Sequence, residues 1–170
     1  MASTYIVNSF AVPFATNQHL LTLFNPAASG KILRVYRIWV ENNSITAVTG
    51  VNPLLKLYRC TAASSGVIRY PVTYRSGNTA LGTVAAGSKQ TVTVTSLFRN
   101  CIISNDEPVV NTSSCDEWQQ FIAVSELWNG GTRNTNLDQI VCREGQGITI
   151  QNITATTVSW LDCFIEFTVE

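Results

Sequence analysis

The stretch Trp160-Leu161-Asp162-Cys163-Phe164-Ile165-Glu166-Phe167-Thr168-Val169 decides the fold class, because apolar residues recur in it at every second position. A spacing of two marks a strand with one buried face, since successive side chains of a strand point to opposite sides of the sheet. The opposite face of this strand is mixed, and Trp160 and Phe164 on it are too apolar to lie bare in water. The buried set comprises Leu161, Cys163, Ile165, Phe167 and Val169.

The same spacing continues along most of the chain. Valines and threonines alternate over Thr91–Thr95, and bulky residues occupy both faces of 32–40, which predicts a central strand there. In that strand a plain alternation puts Tyr36 with Ile38 and Val40 on one side. Glycine, proline, asparagine and serine interrupt the strands at short intervals, as in sandwiches and barrels. The expected strands lie near 4–12, 19–24, 31–41, 51–60, 67–74, 90–98, 100–104, 118–127, 137–143, 147–152 and 158–169.

One segment, 118–128, fits two interpretations. Its apolar residues Trp118, Phe121 and Ile122 would also share a helical face, although the β-rich surroundings favour a strand. With that segment as a strand, the chain has nine to eleven strands. We expect residues 1–170 to form a single antiparallel β-sandwich of jelly-roll type.

Length and composition agree with that class. The chain has 170 residues, of which 45% are hydrophobic and only 13% are charged. Intrinsic disorder requires low hydrophobicity and high charge, so it is excluded. Threonine, serine and asparagine supply most of the polarity, which suits strands and turns.

The N-terminal stretch and the cysteines indicate synthesis and folding in a cytoplasm. The first ten residues have neither a basic region nor an apolar core of signal-peptide length, and no apolar run approaches the 18 or so residues of a membrane span. The five cysteines are odd in number and none has the C-x-x-C spacing of a redox or zinc site. We expect them to be reduced and mostly buried: Cys60, Cys101, Cys115, Cys142 and Cys163.

The formal net charge of zero is the sum of two unequal halves. Residues 1–100 contain nine basic residues and one acidic residue, whereas residues 101–170 contain two basic and ten acidic ones. The halves therefore carry +8 and −8. We expect partial mixing in space, with a basic patch remaining around Arg34, Arg37, Arg59 and Arg69.

No pattern in the chain predicts catalysis, a metal or a cofactor. The single histidine, His19, has no nucleophile motif beside it, so a strand-end role is favoured. Adjacent carboxylates at 106–107 and 116–117 point to opposite faces of an extended chain and lack a calcium-loop pattern. The glycines at 145 and 147 have no phosphate-loop lysine, and we interpret the segment as a turn. A glycosidase needs only two carboxylates at the right separation, so that chemistry stays open.

Nucleic-acid binding is the strongest alternative that the basic residues raise. Residues 31–75 interleave arginines and lysines with tyrosines and Trp39, and such grooves can hold single strands. The sequence pI of about 6.6 lacks the basic excess of these binders. Cross-strand ion pairs with the acidic half are favoured, so we expect no nucleic-acid partner and no membrane.

The apolar surplus instead predicts a protein interface. Aromatic enrichment with few charges distinguishes permanent subunit contacts from free surface. We therefore expect a homo-oligomer, with a trimer assumed by analogy. The candidate interface residues are Arg34, Arg37, Trp39, Arg59, Arg69, Trp118, Trp128, Trp160 and Phe164.

Three segments resemble a family of small structural proteins of tailed bacteriophages. They are Leu20–Pro26, Ser29–Trp39 and Leu55–Arg59, within a similarity that spans about residues 20–75. The resemblance rests on turns and strands, and it offers no catalytic residues. It implies a virion component made in the host cytoplasm, such as a capsid decoration (cement) protein whose partner is the major capsid protein.

A second functional class stays open at this point. A β-sandwich with exposed aromatic rings can also be the carbohydrate- or receptor-binding module of a head or tail fibre. In that case Trp118, Trp128 or Trp160 would be the stacking platforms for sugar rings.

Overall fold

The computed structural model describes residues 3–13, 15–42, 52–73, 81, 84–103, 124–130, 139–154 and 160–170. These residues form twelve strands and no helix. The strands build two antiparallel sheets, which confirms the all-β sandwich class. In chain order they are β1 (Ser3–Pro13), β2 (His19–Asn25), β3 (Leu33–Asn42), β4 (Leu54–Ser64), β5 (Val67–Ile68), β6 (Val72–Thr73), β7 (Ala85–Ser88), β8 (Thr91–Ile102), β9 (Val124–Asn129), β10 (Ile140–Cys142), β11 (Gln146–Asn152) and β12 (Trp160–Val169).

Each sheet contains six strands from distant parts of the chain. Sheet A has the order β10-β3-β12-β1-β6, and β9 pairs with β3 as well. Strands β10 and β9 both lie along the outer edge of β3. Strand β10 pairs with Leu33–Val35, and β9 pairs with Arg37–Glu41. Sheet B has the order β5-β7-β2-β11-β4-β8. The predicted central strand is confirmed, because β3 has partners on both sides.

Most predicted strands are present, and the differences follow from pairing. The predicted strand at 67–74 divides into β5, which joins sheet B, and β6, which joins sheet A. The predicted strands at 90–98 and 100–104 form one continuous strand, β8. Strand β7 was not expected because Ala85-Ala86-Gly87-Ser88 has no β-branched residue. It is extended because it pairs with β2 on one side and with β5 on the other. Of the ambiguous segment 118–128, residues 118–123 lie outside the described part.

A β-bulge in β3 overturns the plain alternation expected there. Glu166 pairs with Arg37 and the next residue of β12 pairs with Val35, so Tyr36 is an extra residue. Side chains alternate strictly between the two faces along a strand, so the extra residue reverses the face to which each later side chain of β3 points. Tyr36 therefore lies apart from Ile38 and Val40, and its hydroxyl is 2.7 Å from the Thr168 hydroxyl. The inward set is Leu33, Val35, Ile38 and Val40, all with no exposed surface.

The core lies between the two sheets. From sheet A it receives the alternate residues of β12, as the C-terminal pattern predicts, with Phe167 the bulkiest. From sheet B it receives the aliphatic residues of β2, β4 and β11. Burying one such side chain contributes roughly 1.5–3 kcal/mol. The sheet B members with at most 1% exposure are Leu20, Leu21, Leu23, Leu55, Leu57, Ile148 and Ile150.

A buried asparagine organises the turn between β2 and β3. The Nδ2 group of Asn25 donates to the Lys31 carbonyl at 2.8 Å and to the Cys142 carbonyl at 3.2 Å. Its Oδ1 atom accepts a 2.6 Å hydrogen bond from the Ser29 hydroxyl. These hydrogen bonds hold the turn that joins Leu20–Pro26 to Ser29–Trp39.

Gly147 stands where three strands of sheet B approach closely. The turn predicted at 145–147 is confirmed at Gly145, where φ is +71°, but Gly147 already belongs to β11. A Cβ atom at Gly147 would overlap the Leu23 carbonyl oxygen and would lie 2.9 Å from the Cys60 sulfur. Only glycine fits between these neighbours.

Replacing Gly147 by alanine should therefore destabilise the fold by about 3 kcal/mol, because a central strand must move away from its neighbours. Gly145→Ala is the matched control: nothing lies within 4 Å of its Cβ position, and only the positive φ costs about 1 kcal/mol. Urea denaturation of both variants measures the difference. Equal losses of stability would contradict the close approach at Gly147.

Candidate interaction surface

The outer face of sheet A brings together several of the predicted interface residues. In β12 the side chains at alternate positions to the core residues point outwards, and Phe164 pairs with Trp39 of β3. On its other side Phe164 pairs with Asn8 of β1. Trp160 shares this face by alternation. We call the group Phe10, Arg37, Trp39 and Phe164 the aromatic stack.

The rings of the aromatic stack contact one another in sequence. Phe164 and Trp39 are parallel, with ring centroids 4.8 Å apart and planes 3° from parallel. Phe10 meets Phe164 edge-on at 5.8 Å, and the Arg37 guanidinium carbon lies 4.9 Å from the Trp39 ring centroid. Aromatic pairs and cation–π contacts of this geometry contribute about 0.5–1.5 kcal/mol each. Trp39 is left only 9% exposed, whereas Phe10 is 53% exposed.

A bulge in β1 positions Phe10 at the end of the stack. The register with β12 shifts between Ser9 and Val12, and Ala11 adopts a φ of +47°. The amide of Ala11 donates a 2.6 Å hydrogen bond to Asp162 Oδ1, which holds this unusual backbone in place. Phe10 is not among the predicted interface residues, although the alternation of Tyr5, Val7 and Ser9 on the buried face was a signal in the sequence for it.

Two ion pairs at the aromatic stack link basic residues of the first half of the chain to acidic residues of the second half. Arg37 Nε donates to Glu126 Oε2 at 2.8 Å. Arg34 Nε lies 2.9 Å from Glu170 Oε1 but off the N–H direction, so that contact is an ion pair without a hydrogen bond. In each pair a basic residue of the first half meets an acidic residue of the second. This is the expected partial mixing.

Acidic residues outnumber basic ones on the described strands of sheet A. Outside the two ion pairs, Glu41 accepts a 3.0 Å hydrogen bond from Trp39 Nε1. Sheet B shows the opposite balance, because its described strands contain Lys56, Arg59 and Arg99 and no acidic residue. Among the described residues, the face around the stack has two basic residues, Arg34 and Arg37, and five acidic ones, Glu41, Glu126, Asp162, Glu166 and Glu170.

The remaining predicted interface residues lie elsewhere. Arg59 reaches across the sandwich, donates to the Val141 carbonyl at 2.8 Å and lies over the Phe98 ring. Trp128 pairs with the buried Ile38, and its ring is 6.1 Å from that of Phe98. Trp118 falls outside the described residues.

The basic patch expected around four arginines is therefore not formed as one surface. Arg34 and Arg37 lie on sheet A, whereas Arg59 is engaged between the sheets. Arg69 follows β5, and its amide donates to the Ala86 carbonyl of β7 at 2.8 Å. Strand pairing separates these residues, although they are close in sequence.

His19 begins β2 and is part of a buried hydrogen-bond chain. Its Nδ1 atom is 3.0 Å from the Thr149 hydroxyl, which is 2.8 Å from the Thr22 hydroxyl. Its Nε2 atom is 3.4 Å from Gln151 Nε2. Burial lowers the pKa of His19 below its usual value of 6.5, because the charged ring would lose water. These partners fit a structural histidine at a strand end.

The described cysteines are free thiols. Burial, with a smaller effect of Cys142, raises the pKa of Cys60 to about 12. Burial raises the pKa of Cys142 to about 11 and also raises that of Cys163. Cys101 is half-buried, and its pKa is raised by burial as well. The three buried thiols are poor nucleophiles and ligands, whereas Cys101 is accessible to solvent in part.

The described residues contain no group of three or more histidine, cysteine or acidic side chains arranged to hold a metal ion. Over the same residues no helix is long and apolar enough to span a membrane. Comparisons with protein-family models, curated proteins and solved structures found no match to this chain.

The pKa of His19 predicts how stability depends on pH. The folded state keeps His19 neutral, so at low pH the unfolded chain binds a proton that the folded chain does not. The contribution of His19 to the free energy of unfolding is therefore complete above pH 6.5 and declines as the pH falls below that value. One proton limits the slope to about 1.4 kcal/mol per pH unit. Urea denaturation between pH 7.5 and 5 should show this decline in the native chain and a flatter profile in His19→Gln. An unchanged slope in the variant would contradict the assignment.

Burial of the thiols predicts selective labelling. In a Cys115→Ser background at pH 8, a maleimide should modify Cys101 and leave Cys60, Cys142 and Cys163 untouched for as long as the protein stays folded. All four should react in urea. Rapid modification of a second thiol in the folded protein, identified by peptide mass, would contradict the packing described for these strands.

Proposed function

We propose that this chain is a non-enzymatic structural protein of a bacteriophage virion, a decoration (cement) protein that binds the major capsid protein and stabilises the shell. It docks through the outer face of sheet A. The observation that carries the proposal is the aromatic stack, which ends in a ring that is 53% exposed at Phe10. Its place of action is the virion, after synthesis in the host cytoplasm.

The aromatic stack has the properties of a protein-binding hot spot. Aromatic side chains dominate such sites, and they bind best when they are already held in position. Trp39 and Phe164 are fixed by their parallel contact, so little side-chain entropy is lost on binding. Ile6 and Val72 pair with each other farther along the same face, and Val72 is 57% exposed. Together they extend the apolar surface beyond the rings.

The acidic surroundings indicate the chemistry of the partner. A face with more carboxylates than arginines attracts a basic surface and repels an acidic one. A shell protein that presents lysine or arginine around an apolar depression fits this face. Because exposed charges are screened by salt, binding should weaken as ionic strength rises.

The order of the strands supports the jelly-roll form of the sandwich. Sheet A contains the sequence β1-β12-β3-β9 and sheet B contains β2-β11-β4-β8. Successive long strands therefore alternate between the sheets except for β4 and β8, which are neighbours in sheet B, as in two interlocked Greek keys. This fold serves both capsid and lectin domains, so the surface decides between the functions.

Sugar binding is the less favoured alternative. A stacking platform needs one open ring face, but Trp39 has Phe164 at 4.8 Å and Arg37 at 4.9 Å. Trp128 lies against Phe98, and Trp160 is half-buried. The indole rings expected to serve as platforms are therefore engaged or partly covered where the structure describes them.

The proposal is tested by co-sedimentation with undecorated phage heads. Phe10→Ser should weaken binding by about tenfold, because it removes the exposed end of the stack. Its matched control is Ile102→Ser, which removes an apolar side chain that is even more exposed, at the edge of sheet B. Both variants should stay folded, and Phe10→Ser should lose only its edge-on contact with Phe164, about 0.5–1.5 kcal/mol.

Three results decide the outcome. Loss of binding in Phe10→Ser alone, together with release by 0.5 M salt, supports the proposal. Equal binding by both variants overturns the docking face. Absence of binding to any head, with binding to a glycan array, replaces the capsid function by the carbohydrate-binding one.

A further inference from the structure

Strand β8 is an open edge of sheet B. It is twelve residues long and pairs with β4 on one side, and no other described strand pairs with it. The side chains of Thr91, Thr93 and Thr95 are exposed, and Val94 is 39% exposed. Backbone N–H and C=O groups along such an edge are free to bind another strand.

The edge lacks two of the usual devices that prevent pairing. Natural edge strands are short, contain proline or inward-pointing charges, or are interrupted by bulges. From Gln90 to Phe98 there is neither proline nor charge, and valine alternates with threonine over Thr91–Thr95. The pairing with β4 shifts at three places: β8 has an extra residue at Thr95 and at Phe98, and β4 has one at Thr61, between the partners of Thr93 and Val94. Strand β8 itself therefore has no extra residue over Thr91–Val94.

The first five residues of this edge form a palindrome. The segment Thr91-Val92-Thr93-Val94-Thr95 reads the same in both directions. In an antiparallel pair of two identical strands centred on Thr93, valine meets valine on one face and threonine meets threonine on the other. Opposite residues share a face in such a pair, and like β-branched pairs are favourable. The segment is therefore complementary to a second copy of itself.

The described residues cover the valine face of this segment only in part. Alternation of valine and threonine predicts one buried face, yet Val94 is 39% exposed and Leu97 is 47% exposed. On the β4 side Val94 lies opposite the buried Cys60 and Val92 lies opposite the half-buried Ala63, and no described strand covers the other side. A second copy would supply the missing neighbours.

We propose that two copies of this chain associate through Thr91–Thr95 of β8, antiparallel and about a two-fold axis at Thr93. The ladder between β4 and β11 ends at Cys60, so beyond that residue β4 and β8 form a two-stranded ribbon. The contact joins the ribbons of the two copies, which gives four strands locally in the order β4-β8-β8-β4. A two-stranded ribbon is marginal in water, whereas a four-stranded sheet with an apolar face is stable. The axis makes the contact isologous, so it closes at two copies.

This proposal rests on the homo-oligomer expected from the sequence and does not depend on the proposed capsid binding. It replaces the trimer assumed by analogy with a dimer or an even-numbered assembly. It leaves the outer face of sheet A free for docking, because β8 belongs to the other sheet.

The contact is tested by introducing charges of either sign at its centre, Thr93. Light scattering after size-exclusion chromatography then measures the mass of the assembly. Thr93→Lys and Thr93→Glu each place like charges face to face at the axis, so each variant alone should dissociate about tenfold more readily. An equal mixture of the two variants should recover the dimer at low salt, because lysine then faces glutamate. The matched control is Thr61→Lys, on the exposed inner strand of the same ribbon, which should remain dimeric.

Circular dichroism confirms that each variant is folded, since Thr93 is exposed. Dimeric native chain, monomeric single variants and a recovered mixed dimer support the proposal. A monomeric native chain overturns it, as does a dimer or trimer that Thr93→Lys leaves intact. Head binding by Thr93→Lys is measured in parallel, so a failure of β8 pairing is distinguished from a failure of capsid docking.

Discussion

The position of β12 between β1 and β3 is the constraint on which the rest of the structure depends. Nine residue pairs join β12 to each neighbour, and its alternation divides sheet A into a core face and a surface face. A slip of one residue would place Trp39 and Phe164 in the core and Ile38 and Ile165 in water. The hydrophobic effect therefore sets the register, and the register assembles the aromatic stack.

Bulges modify this simple alternation where the surface is built. The extra residue at Tyr36 keeps Val35 and Ile38 on the same side although three positions separate them. The positive φ of Ala11 directs Phe10 outwards onto Phe164. Bulges concentrate at functional positions in β-proteins because they change the direction of a side chain without disrupting the ladder. The docking face proposed for sheet A depends on both.

The fold class could be predicted from the sequence because the period of two is local information. Trp39 and Phe164 were also identified, since their apolar character and strand position are visible in the chain. The separation of Arg59 and Trp128 from them was not predictable, because it depends on which strands pair across the molecule. Phe10 was missed for a similar reason: its exposure results from a bulge whose hydrogen-bond partner, Asp162, lies about 150 residues away.

Sheet A also determines when the polypeptide can fold during its synthesis. Strand β1 lies between β12 and the two-residue strand β6, so its long ladder forms only after Trp160–Val169 has left the ribosome. At ordinary elongation rates, roughly 10–30 s pass between the synthesis of the two partners. The nascent chain must remain unfolded, or be shielded by chaperones, over that interval. Loss of the last ten residues would thus yield aggregation or proteolysis instead of a shortened sandwich.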